Sequence, residues 1–280
     1  MDELTIFGGS GFVGSNFAKL YPQKSIIMPR DENWSENMKD VLYLISTTHN
    51  YHLFDDLHKD INTNLNKLMD VLPNVQGTFN FVSSWFVYGE GYSKYRPAKE
   101  GDPCNPKGFY SITKKTAEDL TESFCRTFHR NYRILRLCNV IGGDVGAGKK
   151  KNALEYLIGN IVRNEPVSIY KGDNYRNFMH VEDVCAAINL ATYSGKFNEI
   201  YNIGAEESIK LIDIIDYVIK KTGSTSKITY VDVPEFHQIV QAPNFFMDCE
   251  KIRNLGFRQR YNIFQAVDKI LEKYTDSNYK

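Results

Sequence analysis

The chain has 280 residues, of which 42% are hydrophobic and 24% charged, with 34 basic and 34 acidic side chains and a formal net charge of zero. This length and composition predict a soluble protein with a packed core, in one large domain or two lobes. The balanced charge gives no electrostatic case for nucleic-acid binding, and no apolar stretch approaches the length of a membrane span.

The cysteines and histidines indicate a cytoplasmic protein without a metal site. The five cysteines are dispersed and never form Cys-x-x-Cys, and the six histidines show no metal-ligand spacing. The N-terminus begins a strand rather than a signal peptide. We therefore expect reduced thiols and a cytoplasmic location.

The first element is a glycine-rich turn between an apolar strand, residues 4–7, and a helix that begins near residue 11. In that context the glycines predict a dinucleotide site, because they permit a tight turn, close approach of a pyrophosphate and close packing of helix on strand. The helix N-terminus adds free N–H groups and a positive dipole end for the phosphates. The predicted cofactor-binding residues here are Gly8, Gly11, Phe12, Val13 and Gly14.

Strands and helices then alternate, as in a parallel sheet with crossover helices. The predicted strands are Leu4–Phe7, Ser25–Met28, Val41–Ser46, Thr78–Ser83 and Tyr132–Leu137, and the predicted helices are Gly11–Tyr21, Asp60–Leu72 and Tyr110–Phe128. The second crossover, from Asp31 to Asp40, is short for a strand–helix–strand unit.

Ser84 lies just past the end of the fourth predicted strand. Ligands of an open parallel sheet bind outside the carboxyl ends of its strands, so Ser84 is placed to hydrogen-bond a reacting oxygen. The alternative is an ordinary turn hydroxyl.

Tyr110 and Lys114 are four residues apart in a predicted helix and therefore lie one above the other on one face. A phenol titrates near pH 10, and a nearby ammonium favours the phenolate and lowers that pKa. We predict that Tyr110 exchanges a proton with a hydroxyl or carbonyl group near pH 7. Taken alone, the same spacing also fits two surface residues.

After Gly142 the pattern changes to a Gly/Lys-rich loop, Asp144 to Lys151, followed by short strands and amphipathic helices. We predict a dinucleotide-binding domain of residues 1–142 plus about 177–203. Residues about 143–176 and 204–280 then form a smaller, interleaved lobe. A cleft between the two lobes is the expected substrate site.

The glycine loop, Ser84 and the Tyr110/Lys114 pair together resemble the extended short-chain dehydrogenase/reductase family, whose members mostly modify nucleotide sugars. The resemblance runs from the first strand to the C-terminal helix. Further matching segments are 83–89, 136–142, 176–184 and 201–204. The resemblance implies an α/β fold with a Rossmann-type doubly wound parallel sheet and a small interleaved C-terminal α/β substrate lobe. One strand and helix of the family are expected to be trimmed or absent at the short second crossover.

The resemblance also implies roles for the catalytic residues. Ser84 and Tyr110 share the reacting oxygen, and Lys114 binds the nicotinamide ribose while lowering the pKa of Tyr110. Dehydratases of the family carry an Asp-Glu pair directly after the Ser/Thr, whereas this chain has Trp85 and Phe86, which cannot transfer protons. Dehydration is therefore discounted. The two aromatic residues either wall the sugar pocket or belong to the core.

The second strand of the family usually ends in an acid that bonds the adenosine ribose. Here that position is Pro29, followed by Arg30. Proline removes a carboxylate that would repel a 2′-phosphate, and the guanidinium of Arg30 binds one well. This favours NADP(H), with NAD(H) possible if Asp31 bonds the ribose instead.

On the substrate side, Arg176 and Asn139 match family residues that contact the diphosphate of a nucleotide sugar. Asn177 replaces the usual Asp after Arg176, and segment 235–238 lacks the second phosphate-binding arginine of many relatives. The nucleotide of the substrate therefore stays open.

These observations predict an NAD(P)-dependent oxidoreductase that interconverts keto and hydroxyl groups at C4 of a nucleotide-linked sugar. The favoured form is an NADPH-dependent 4-ketoreductase of an NDP-4-keto-6-deoxyhexose. A 4-epimerase that retains its cofactor and a non-catalytic NAD(P)-binding scaffold are the alternatives. By analogy with related enzymes, we expect a homodimer paired through the helix carrying Tyr110 and the helix Asp60–Leu72.

Overall fold

The computed structural model describes residues 3–29, 38–142 and 152–275, and the statements below concern these ranges. No helix within them is both long enough and apolar enough to cross a membrane.

The centre of the fold is a six-stranded parallel sheet with the order β10-β5-β4-β3-β1-β2. Its strands are β1 (Leu4–Phe7), β2 (Ser25–Met28), β3 (Asp40–Tyr43), β4 (Thr78–Ser84), β5 (Asn131–Leu137) and β10 (Glu199–Ile203). All seven residues of β4 are buried, as expected for a parallel strand covered on both faces. The predicted α/β fold with a Rossmann-type sheet is thereby confirmed.

The third predicted strand, Val41–Ser46, ends earlier, at Tyr43. Past that point the backbone N–H of Thr47 donates to the side chain of Asn64 at 2.8 Å, instead of continuing a ladder with a neighbouring strand. The segment after β3 therefore leaves the sheet toward the helical layer.

Helices cover both faces of the sheet. On one face α1 (Phe12–Leu20) packs against α6 (Val181–Ser194), and on the other α4 (Phe109–Thr127) packs on β4 and β5.

The predicted helix Asp60–Leu72 is divided into three consecutive pieces. These are α2 (Lys59–Ile61), a π-helical turn (Asn62–Asn66) and α3 (Lys67–Val71).

A second, smaller core forms under the C-terminal part of the chain. Its short strands pair as β6 (Asn139–Ile141) with β9 (Phe178–His180), β7 (Val167–Tyr170) with β12 (Ile228–Val231), and β8 (Tyr175–Arg176) with β11 (Ile209–Lys210). Its helices are α5 (Ala153–Val162), α7 (Leu211–Thr222) and α10 (Ile263–Thr275). Helix α8 (Glu235–Val240) lies outside this core, and α9 (Glu250–Asn254) packs on β10 with Ile252 in the core of the central sheet. Between these elements the chain returns through α6 and β10 to the central sheet, and the exact division into two domains stays a prediction.

Candidate active site

The glycine loop joins β1 to α1 in a conformation that leaves the helix N-terminus open. Gly8 has φ +81°, a conformation that favours glycine, and its carbonyl accepts a hydrogen bond from Gly11 N at 3.0 Å. Helix α1 begins at Phe12 with Gly11 as its N-cap, with no side-chain cap and no acidic residue in its first turn. The N–H groups at this end are thus available to an anion, as the sequence predicts.

Gly14 is packed too tightly for any side chain. An added Cβ would lie 2.4 Å from Gly8 O and 2.8 Å from Gly9 Cα. We expect Gly14→Ala to lower the free energy of unfolding by about 1–3 kcal/mol and to weaken dinucleotide binding, because α1 must move away from the loop. Urea unfolding and fluorescence titration with the dinucleotide measure the two effects.

The matched control is Gly101→Ala, because a Cβ there would meet no heavy atom within 4 Å. Equal stability and equal dinucleotide affinity in the two variants would contradict the close packing of α1 on the loop.

A cavity of about 430 Å³ lies beyond the carboxyl end of β3. One wall is formed by residues 45–49, and the other by Lys59, Asn62, Thr63 and Lys67. An added Cβ at Gly8 would lie 2.9 Å from Leu44 C, so the glycine loop adjoins the first wall. The cavity therefore starts beside the glycine loop, and Ser46 in its wall is a neighbour of Tyr110.

Ser84 and Tyr110 meet at the carboxyl end of β4. Ser84 is buried as the last residue of that strand, and its Oγ accepts from Phe86 N at 3.3 Å. Burial raises the pKa of Tyr110, and the neighbouring Ser84 hydroxyl opposes that rise. The predicted serine–tyrosine pair is thus brought together.

Lys114 lies one turn further along α4 and is buried. Its Nζ donates to Val82 O at 2.6 Å and lies 4.2 Å from the centre of the Phe81 ring. Burial lowers the pKa of Lys114 to about 7, and Glu118 opposes that shift. In this structure the Lys114 ammonium donates to the sheet, burial raises the pKa of Tyr110, and the lowering of that pKa by Lys114 stays a prediction.

A buried ion pair joins α4 to β5. Arg136 on β5 donates to the two carboxylate oxygens of Glu118 at 3.0 and 2.7 Å, and the two side chains are 2% and 0% exposed. Arg136 also donates to Glu100 O at 3.2 Å, and its guanidinium lies 4.7 Å from the centre of the Tyr88 ring. Two parallel charge-assisted bonds fix the register of α4 against β5.

Sequence reasoning missed a buried polar network behind Tyr110. Asn64 Nδ2 donates to Thr47 Oγ1 and to Thr113 Oγ1, both at 2.9 Å, and Thr113 Oγ1 lies 3.1 Å from Tyr110 O. Asn64 occupies the π-helical turn, a distortion that is frequent at functional sites. Asparagines at three alternate positions, 62, 64 and 66, in an otherwise helical pattern were the available signal.

Of the two aromatic residues after Ser84, Trp85 belongs to the core and Phe86 borders the site. Trp85 is 3% exposed and packs between Phe86 and Phe245, with ring centres 4.0 and 4.2 Å away. Phe86 is only partly buried and meets the ring of Tyr110 edge-on at 6.0 Å. Phe86 therefore borders the reacting phenol, whereas Trp85 supports it from the core.

Arg176 lies in the second lobe with its guanidinium largely desolvated. It donates to Tyr175 O at 3.0 Å and to Pro243 O, and burial lowers its pKa to about 10. Within the described ranges it forms no ion pair with a carboxylate. Its positive charge is available to an anion.

Asn139 and Asn177 hold the backbone beside Arg176. Asn139 Nδ2 donates to Asn177 O at 3.0 Å. The amide of Asn177 accepts from Ala205 N at 2.8 Å and donates to Ala205 O at 2.9 Å. A carboxylate could not make the second bond, so Asn177 is a structural adaptation to the turn after β10.

Helix α8 spans from the second lobe to the turn after β3. The Phe236 ring packs on Tyr51 and Phe54 at 5.7 and 4.8 Å between centres, and His237 bonds the hydroxyls of Tyr51 and Tyr170. The segment that lacks the second arginine is thus an aromatic contact between the lobes. Arg30, the predicted 2′-phosphate ligand, lies outside the described residues.

The comparisons with known proteins agree with this fold. A family model described as the NAD dependent epimerase/dehydratase family matches residues 35–204. The low-salt glycan biosynthesis protein Agl12 of Haloferax volcanii is 26% identical to the chain, with 97% of this chain and 98% of that protein covered.

Two solved structures share the fold. RMD from Pseudomonas aeruginosa, complexed with NADPH, has a TM-score of 0.84 at 19% identity and covers 98% of this chain and 99% of its own. UDP-glucose 4-epimerase from Thermotoga maritima, with UDP-glucose, has a TM-score of 0.83 at 21% identity and covers 98% of both chains.

Proposed function

The chain belongs to the NAD dependent epimerase/dehydratase family, and we propose that it is an NAD(P)-dependent oxidoreductase acting at C4 of a nucleotide-linked sugar. The favoured reaction is reduction of an NDP-4-keto-6-deoxyhexose with NADPH. The observation that carries the proposal is the meeting of Ser84 and Tyr110 at the carboxyl end of β4, one turn from buried Lys114.

The residues beside this pair fit a dinucleotide. The crowded glycine loop, the uncapped start of α1 and the adjoining cavity of about 430 Å³ suit a pyrophosphate and its nucleosides. Gly8, Gly11, Phe12, Val13 and Gly14 would hold the phosphates, and Lys114 the nicotinamide ribose. When bound, the nicotinamide supplies the hydride. The preference for NADP(H) over NAD(H) depends on Arg30, and the NADPH complex of the Pseudomonas protein is compatible with it.

Proton transfer is the part of the reaction that residues of the protein carry out. Because burial raises the pKa of Tyr110, the phenol stays protonated at neutral pH. It is then suited to donate its proton to the oxygen of a ketone as that oxygen gains negative charge, with the Ser84 hydroxyl bonding the same oxygen.

The position of Phe86 argues against a dehydration reaction. It stands beside Tyr110 where a dehydratase would need a proton-transferring side chain, and its ring offers only apolar contact. An apolar neighbour suits the methyl group of a 6-deoxy sugar. We therefore propose keto–hydroxyl interconversion without loss of water, and a wall formed by Phe86 with Trp85 behind it.

Arg176 and Asn139 are the proposed contacts to the substrate diphosphate. We expect Arg176→Met to raise KM for the nucleotide sugar about 10- to 100-fold with little change in kcat, since a hydrogen bond to a charged group is worth about 1.5–3 kcal/mol. Steady-state kinetics measures both constants.

The control is Arg163→Met, which removes an exposed arginine paired with Glu165 at 2.8 Å. An Arg176→Met enzyme with unchanged KM would place the diphosphate elsewhere.

A 4-epimerase is the second candidate, because oxidation and re-reduction at C4 need the same residues and a UDP-glucose 4-epimerase shares the fold. Absorbance at 340 nm separates the two. The reductase consumes NADPH in equal amount to an added dTDP- or UDP-linked 4-keto-6-deoxyglucose. Tightly retained NAD, with UDP-glucose converted to UDP-galactose and no net change at 340 nm, would establish the epimerase instead. Dinucleotide binding without turnover of either sugar would favour the scaffold.

We also propose a homodimer. Helix α4 and the segment 59–71 expose apolar side chains eight residues apart, at Ile112 and Leu120 and at Ile61 and Met69, each between 36% and 44% exposed. Such paired stripes suit packing against the same helices of a second copy. Light scattering should give twice the mass of one chain.

A further inference from the structure

We propose that Asn64 is a positioning residue that fixes the first turn of α4, and with it Tyr110, relative to the dinucleotide cavity. The proposal deepens the proposed function and rests on the assignment of Tyr110 as the proton donor. It starts from a buried side-chain amide that makes three hydrogen bonds within the protein and none of the contacts of the reaction itself.

Asn64 joins three separate segments of the chain and is 2% exposed. Its Oδ1 accepts from Thr47 N at 2.8 Å, and its Nδ2 donates to Thr47 Oγ1 and to Thr113 Oγ1, both at 2.9 Å. A side-chain amide has two N–H donors and both are used here, so the orientation of the side chain is fixed. Neither a carboxylate nor an apolar side chain could make this set of bonds.

Two of these bonds hold the walls of the cavity together. Thr47 lies in the wall formed by residues 45–49, and Asn64 directly follows Thr63 in the opposite wall. Thr47 is itself buried, and its Oγ1 donates to the carboxylate of Asp60. The contact between Thr47 and Asn64 therefore sets the separation of the two walls.

The third bond reaches the turn of α4 that carries Tyr110. Thr113 Oγ1 accepts from Asn64, and it lies 2.8 Å from Phe109 O and 3.1 Å from Tyr110 O, the carbonyls of the first two residues of α4. A hydroxyl has one hydrogen, which Thr113 donates to these carbonyls. Asn64 is thereby joined through a single hydroxyl to the backbone of the residue that supplies the phenol.

The first turn of α4 depends on such support. Helix ends fray, and Tyr110 is the second residue of this helix. The N-cap is Gly108, which has no side chain to accept from the first N–H groups. A displacement of about 1 Å can cost a positioned catalytic group about 100-fold in rate, so a frayed first turn would slow proton transfer.

The test breaks the bond between Asn64 and Thr113 from either end. Thr113→Val removes the hydroxyl and keeps the branched shape, and we expect it to lower kcat for the 4-keto sugar by about 10- to 100-fold, with unchanged KM and unchanged Kd for NADPH. Thr113→Ser, which keeps the hydroxyl, should recover most of the lost kcat. Asn64→Leu should lower kcat as Thr113→Val does and should also weaken NADPH binding, because it releases the cavity walls.

Thr121→Val is the matched control. Thr121 lies two turns further along α4, is 0% exposed, and its Oγ1 has no hydrogen-bond partner among the described residues. Its hydroxyl should therefore be dispensable for kcat. A Thr113→Val enzyme with the kcat of Thr121→Val, or a Thr113→Ser enzyme as slow as Thr113→Val, would overturn the proposal. If Thr113→Val does not fold, Asn64→Leu carries the same expectation for kcat.

Amide hydrogen exchange tests the same bond without turnover. The amide of Ile112 donates to Gly108 O at 2.8 Å and reports on the first turn of α4. We expect it to exchange about tenfold faster in Thr113→Val than in Thr121→Val, because the first turn opens more often. Equal exchange in the two variants would overturn the proposal. Failure of the proposed function is distinguishable, because it would show as an active Tyr110→Phe enzyme, or as no turnover by the unmodified protein, whatever the difference in exchange.

Discussion

Replacing Tyr110 by phenylalanine is expected to lower kcat by about 10²- to 10⁴-fold, the usual contribution of a positioned acid–base group. The substitution removes only the hydroxyl and keeps the ring that contacts Phe86 edge-on. Substrate and dinucleotide affinities should change little, because the lost interaction develops in the transition state. Single-turnover oxidation of NADPH at saturating sugar nucleotide measures the chemical step directly.

Tyr92→Phe is the matched control for this variant. Its hydroxyl donates to Pro103 O at 2.9 Å, away from the cavity, so its removal should leave kcat unchanged. A Tyr110→Phe enzyme that turned over as fast as Tyr92→Phe would exclude Tyr110 as proton donor. The scaffold would then become the better description of this chain.

Replacing Glu118 by glutamine is expected to lower the free energy of unfolding by about 3–5 kcal/mol, because it leaves Arg136 charged and unpaired in the interior. The side chains of both partners are almost wholly buried, at 0% and 2% exposure, so water cannot compensate for the lost carboxylate. Urea unfolding followed by circular dichroism gives the value.

Two further variants provide comparisons for the stability of Glu118→Gln. Asp232→Asn breaks a pair with Lys171 at 2.8 Å in which both side chains are exposed, so the loss should stay below about 1 kcal/mol. Glu118→Leu combined with Arg136→Met removes both charges and should recover much of the stability lost in Glu118→Gln. Equal losses in Glu118→Gln and Asp232→Asn would show that the buried pair contributes no more than a surface pair.

Loss of Glu118 should also change the pKa of Lys114 in the active site. Its charge opposes the lowering of the Lys114 pKa, so the variant should carry a neutral Lys114 at lower pH than the unmodified protein does. The ion pair of α4 and β5 thus links the stability of the fold to the charge of Lys114, one turn from Tyr110.

Local sequence patterns were sufficient wherever one short segment carries the whole signal. The strands Leu4–Phe7 and Ser25–Met28 have their predicted bounds, and α4 differs from its predicted range by one residue at each end. An apolar run between turn residues defines a strand, and a 3.6-residue period defines a helix, without knowledge of distant contacts. The glycine loop likewise has its predicted form, since the conformational freedom of glycine is a local property.

The sequence by itself therefore determined the parallel α/β fold and the family, and it predicted Ser84 and Tyr110 as the candidate pair at the end of β4. Only the tertiary structure decided the electrostatics of that site. Lys114 turns toward Val82 O rather than the phenol, and burial raises the pKa of Tyr110 instead of letting it fall. The π-helical turn at Asn64 and the burial of Asp60 were not predicted from the sequence. Desolvation and charge coupling depend on which side chains surround a group in space, and residue spacing along one helix does not contain that information.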